Sequence, residues 1–153
     1  MANRRNKRPR QGAEVRGGKH AAVAPDAQPS STAHEGVSWG FRYLDHADGW
    51  CWFALEGDKR REVLRKLGEL ESCTWGELGR VKSAGSCKPV EIDKIPTKAA
   101  KDRLVDLQLD DRDHIWEIRL SGTERLWGFR ERHVFQLLWW DPDHTVWPSS
   151  RGR

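Results

Sequence analysis

"HIWEIRLSGTERLWGFRERHVFQLLWWDPDH", from His114 to His144, is the stretch whose reading decides the fold. It divides into three β-prone runs, "HIWEIRL", "RLWGFRE" and "VFQLLWWD", joined by "SGTE" and "ERH". Both joints are short enough for antiparallel hairpins. In the first run Trp116, Ile118 and Leu120 alternate with Glu117 and Arg119, so one face is apolar and the other charged. The third run is apolar at consecutive positions, the mark of a strand covered on both sides. Trp139 and Trp140 must then point to opposite faces. "DPDH" is a turn with Pro142 at a favoured position, and "TVW" adds one more extended step before Pro148.

Upstream of this meander the period changes. "GDKRREVLRKLGELES" places Val63, Leu64, Leu67 and Leu70 on one helical face, with Asp58 as a possible N-cap. Thr74 and Glu77 have capping-box spacing and predict a second short helix. "KSAGSCKPVEIDKIP" reads as a loop with one short extended piece. "TKAAKDRLVDLQL" predicts a third helix with Ala100, Leu104 and Leu107 inward. "WGFRYLD" and "WCWFAL" flank "HADG", which predicts an N-terminal hairpin. The expected fold class is α+β: an antiparallel sheet with that hairpin and two to three helices on one face.

The expected domain organisation is a single folded unit over 37–148. A disordered basic tail precedes it over 1–36, and a flexible tail follows over 149–153. Residues 1–36 hold seven Lys or Arg against three acids, which accounts for the whole net charge of +4. Such a segment holds too little apolar surface to offset the entropy of ordering. Its cluster "RRNKRPR" suits weak nucleic-acid binding by counterion release, and equally a solubilising tail. The folded part is neutral overall, so any anion site there must be a local patch.

Three scattered cysteines fit a reducing, cytoplasmic setting better than a disulfide framework. No apolar run is long enough to span a bilayer, so no membrane association is expected. No CxxC, HxxxH or Gly-rich phosphate loop occurs, so neither metal nor cofactor is predicted.

The polar residues threaded through the meander are the candidates for chemistry. Arg119, Arg125 and Arg130 lie on or beside strands, where a guanidinium fork can hold phosphate. The same arginines suit a solvated sheet face, paired with Glu117, Glu124 and Glu131. His144 follows a tight turn and can move a proton near neutrality. An exposed Trp147 could stack on a base, and a buried one would pack on the helices.

The segment "IWEIRLSGTERLWGFRERHVFQLLWWDPDHTVWP" resembles the core of the RelE/ParE-like toxins of bacterial toxin–antitoxin systems. The shared pattern is a strand ending in a basic residue, a short turn, then "R-h-x-G-h/R". A hydrophobic strand follows, leading to a late polar or aromatic residue. The ending is also similar to small actinobacterial and phage-associated proteins with "WWDPxHxVxPS". The first resemblance implies a metal-independent mRNA endoribonuclease, in which the ribose 2′-hydroxyl attacks the neighbouring phosphate. Arg119, Arg125 and His144 would be catalytic, and Arg130, Arg132 and Trp147 would bind nucleic acid. The implied partners are RNA, including ribosome-bound mRNA, and a cognate antitoxin. ParE-like relatives keep the fold and act on gyrase. The competing expectation is a non-catalytic module of the same fold that binds nucleic acid or protein.

Overall fold

The computed structural model describes residues 32–47 and 49–149. Most of the expected basic tail and residues 150–153 lie outside the described residues. Eight regular elements follow one another in the described chain: β1 (Ser38–Gly40), α1 (Gly57–Leu70), α2 (Trp75–Arg80), β2 (Cys87–Glu91), α3 (Lys98–Asp106), β3 (His114–Ser121), β4 (Glu124–Glu131) and β5 (Val134–Asp141). Short 3₁₀ turns at Trp52–Ala54 and Ile92–Lys94 add to these. The fold is α+β, with one five-stranded mixed sheet ordered β1-β5-β4-β3-β2.

The predicted meander is present, with β3 antiparallel to β4 and β4 antiparallel to β5. The extended piece in the loop before α3 is β2, which pairs with β3 at the sheet edge. Pro89 fits there because an edge strand has one side with no partner to receive its missing N–H. The N-terminal hairpin does not form. Only Ser38–Gly40 is extended, and it pairs in parallel with Val134–Gln136 of β5. The second half of the expected hairpin is instead the 3₁₀ turn at Trp52–Ala54. Long-range pairing wins because β5 would otherwise leave its outer edge unpaired. Beyond β1 that edge is completed by the loop: Asp45 N donates to Leu138 O, and Trp140 N to Trp50 O.

The helices do not gather on one face. Val63 and Leu67 of α1, with Trp75 and Leu78 of α2, pack on Ile118, Leu120, Leu126, Phe135, Leu137 and Trp140. Ala100 and Leu104 of α3 pack on the other side, with Ile115, Trp127, Phe129, Leu138 and Trp139. Both faces of the sheet are therefore covered, as the doubly apolar β5 requires. A bulge between Trp127 and Gly128 pairs Gly128 with Leu137 and leaves Leu138 without a register partner. Leu138 and Trp139 consequently share the α3 side, while Trp140 turns to the α1 side. The capping box of Thr74 and Glu77 is formed. Asp58 lies within the first turn of α1 rather than at its cap, and Leu64 is exposed.

Order begins earlier than Val37. Thr32 is buried and accepts from Arg130 Nη2 at 2.6 Å, Gly76 N donates to Ala33 O, and Gly36 bridges Thr74. The 32–36 segment thus belongs to the folded unit. Its backbone bonds and the Arg130 contact replace the apolar burial that its composition lacks.

Asp45 ties the N-terminal loop to α3 and β5. It is buried and accepts from Arg103 Nε at 2.8 Å and Nη2 at 2.6 Å, from Trp139 Nε1 at 2.9 Å and from Ala47 N at 3.0 Å. Burial alone would raise this carboxyl. The Arg103 fork and the other donors outweigh it and hold the pKa at about 2. A depressed carboxyl contributes stability that is complete above the ordinary range and lost as pH falls through the folded value. We expect roughly 2 kcal/mol to disappear between about pH 4 and pH 2. Urea titrations across that window should show this limb in the unsubstituted chain and not in Asp45→Asn. Identical acid slopes for the two would count against it.

Candidate functional site

Alternation along β3 sets Glu117 and Arg119 on the face opposite Ile118. Arg125 lies directly across from Arg119 in register. Arg125 ends up at the same corner of the sheet as the turn that follows β5. That turn is fixed by Asp141, which is fully buried. It accepts from Thr145 N at 2.8 Å, Thr145 Oγ1 at 3.0 Å, Val146 N at 3.0 Å and Trp127 Nε1 at 3.2 Å. The fold over Asp141 carries His144 round in a left-handed conformation, φ 57°. Among non-glycine residues histidine is one of those that tolerate this region.

His144 Nε2 comes within 3.8 Å of Glu117 Oε2. The other oxygen of Glu117 meets Arg125 Nε at 3.2 Å and faces Lys88 Nζ of β2 at 3.9 Å. Lys88, Pro89, Glu117, His144, Trp147 and Pro148 line a groove of about 500 Å³. Its lining combines charged side chains with flat apolar surface. Trp147 is half-buried against the α3-side core.

Of the three residues expected to be catalytic, Arg125 and His144 both approach Glu117, and Arg119 lies across from Arg125 in register; they are not equivalent. Arg125 is buried, and its Nη1 also donates to Gly122 O at 2.8 Å and Glu124 O at 3.0 Å. Burial lowers its pKa although Glu117 opposes the shift. Its pairing with Glu117 is the one the solvated-face reading names, yet it lies inside the fold rather than on a wet surface. Arg119 is partly exposed, and its Nε is buried with no hydrogen-bond partner. Burial and the Arg125 charge depress the pKa of His144, against the raising influence of Glu117 and Asp141. The ring is therefore neutral at neutral pH and has a lone pair to accept a proton.

Of the expected nucleic-acid contacts, Trp147 alone lies in the groove. Arg130 and Arg132 sit at the opposite end of β4. Arg130 is buried on the α1 face, 4.4 Å above the Trp75 ring and 5.3 Å from the Trp116 ring. It locks the 32–36 segment in place. Arg132 occupies the β4–β5 turn with φ 58°, 3.7 Å from Glu35. Arg130 comes five positions after Arg125, so an undistorted β4 puts them on opposite faces. Lys88 and the groove-facing role of Glu117 were not predicted. The alternation that placed Arg119 also places Glu117, but the pairing of β2 with β3 has no local signal.

Among the described residues no cluster of three or more His, Cys, Asp or Glu could hold a metal ion, and no helix is long and apolar enough to cross a membrane. No protein-family model, curated protein or solved structure matches this chain.

Proposed function

We propose that this protein is a RelE-like, metal-independent endoribonuclease, the toxin of a toxin–antitoxin pair, with the groove beside His144 as its RNA site. One observation supports the reading: Lys88 and His144 line one groove with Glu117, and Arg125 holds Glu117 from the neighbouring strand with Arg119 across from it. His144 takes the proton of a ribose 2′-hydroxyl. The 2′-oxygen bonds to phosphorus and the P–O5′ bond breaks, with a proton from solvent going to the departing oxygen. The products are a 2′,3′-cyclic phosphate and a 5′-hydroxyl. Lys88 faces the charge that builds on the phosphorane, and Arg119 adds positive charge from beside Arg125. Arg125 holds Glu117 rather than phosphate. Trp147 and the prolines give a flat surface on which a base can stack. The basic N-terminal cluster adds long-range attraction for RNA, and a cognate antitoxin covers the groove.

The commitment of Arg125 to Glu117 favours a second reading, a module that binds RNA through the same groove without cleaving it. Incubating the full chain with end-labelled single-stranded RNA in chelator separates the two. Cyclic-phosphate products are expected, falling about 100-fold or more in His144→Ala. Because the histidine is depressed, the acidic limb of the rate profile should lie below the ordinary midpoint of about 6.5. Salt-sensitive binding without products would establish the second reading, and the absence of both would remove the groove as an RNA site.

A further inference from the structure

Glu117 is the least expected group in the groove. It is only 6% exposed, in the middle of β3, where an unpaired carboxylate would be costly. Its two oxygens are used differently. Oε1 faces two cations, Arg125 Nε at 3.2 Å and Lys88 Nζ at 3.9 Å. Among the described residues Oε2 faces His144 Nε2, at 3.8 Å. Arg125 is in turn pinned by the carbonyls of Gly122 and Glu124, so Oε1 is fixed and Oε2 is aimed by it. On the other side the left-handed backbone of His144 is held by the Asp141 turn. Carboxylate and imidazole are each anchored from behind and presented to each other across strands.

We propose that Glu117 is the positioning residue of the site: Arg125 holds its carboxylate, and its Oε2 selects the His144 tautomer with hydrogen on Nε2, leaving Nδ1 as the atom that accepts the substrate proton. The gap between Nε2 and Oε2 closes to a hydrogen bond when a phosphate enters the groove and draws Lys88 away from Oε1. Paired acceptor and imidazole then work as a unit, in which the carboxylate orients the ring and stabilises the imidazolium formed. The charged groups around His144 are Glu117 of β3, Arg125 of β4, Asp141 at the end of β5 and Lys88 of β2. Burial, with the two cations, disfavours the charged ring at rest, and Glu117 opposes them once the proton arrives. This assignment rests on the groove being a proton-transfer site, but the tautomer can be read whether or not RNA is cut.

The test uses the full chain labelled with ¹⁵N-histidine. Long-range proton–nitrogen spectra of the unsubstituted protein saturated with inorganic phosphate should show His144 mainly as the Nε2–H form. A predominant Nδ1–H form would overturn the proposal without any variant having to fold. Glu117→Gln should weaken that preference and lower the His144 titration midpoint further, since a raising influence is lost. In the RNA assay it should reduce kcat about 10-fold with KM within about 2-fold, and shift the acidic limb downward. Glu117→Asp should restore part of kcat. An unchanged tautomer and midpoint in a folded Glu117→Gln protein would sink the role of Glu117. Coupling in the spectra with no cleavage by the unsubstituted chain would leave the positioning intact and count against the ribonuclease reading alone.

Discussion

Gly128→Ala is expected to leave the protein largely unfolded. A Cβ at this position would lie 2.1 Å from Gln136 O and 2.6 Å from Phe135 Cε1. The first is backbone in a hydrogen-bonded partner strand, so it cannot swing aside as the end of a side chain would. Relief requires β4 and β5 to separate at the bulge, which is where Trp127 and Trp139 are packed without exposure. A loss of roughly 4 kcal/mol or more follows, a large share of the 5–15 kcal/mol available to a domain of this size. Gly68→Ala supplies the contrast. It lies within α1 with nothing near its added methyl, and should stabilise by about 0.5–1 kcal/mol. Thermal melts followed by far-ultraviolet circular dichroism would rank the two. A cooperative transition for Gly128→Ala within a few degrees of the unsubstituted chain would show that the strands accommodate the methyl.

Asp141→Ala should cost roughly 3–5 kcal/mol, because it strips a fully buried carboxylate from four donors at once. Val146 N and the Trp127 indole would be left buried without their acceptor. Asp141→Asn keeps one acceptor and should lose about half as much. The chemistry should suffer as well, since the same turn sets the backbone of His144. Urea unfolding at neutral pH gives the stability, and a loss under about 1 kcal/mol would mean that water replaces the carboxylate without penalty.

The meander was legible because each of its strands carries its own signal. Alternation fixes the faces of β3, unbroken apolarity marks β5 as covered, and short polar joints force antiparallel pairing. The capping box of α2 was legible for the same reason: Thr74 and Glu77 are three residues apart. What could not be read are pairings between distant segments. β1 resembles half a hairpin locally, yet its partner is Val134–Gln136. The α3 helix looks like α1 in its apolar stripe, and nothing in either stripe says which side of the sheet it takes. Arg125 and Arg130 look alike in the sequence. Their separation onto opposite faces follows from counting along β4, but the indole stack that captures Arg130 depends on Trp75, more than fifty residues away. In the candidate site, the meeting of Arg119 and Arg125 was readable as a hairpin register. The approach of His144 was not, because it depends on how the chain turns over Asp141.

The parallel pairing of Ser38–Gly40 with Val134–Gln136 ties almost the first described residues to nearly the last. A chain emerging from the ribosome cannot complete this sheet until its final strand has left the exit tunnel. Neither can it place His144 before then. Contacts of such sequence separation also slow folding. Nascent chains stalled before about residue 140 therefore lack both the interior of the sheet and the groove. The molecule acquires its shape, and whatever that groove does, only once β5 and the turn behind it are clear of the ribosome.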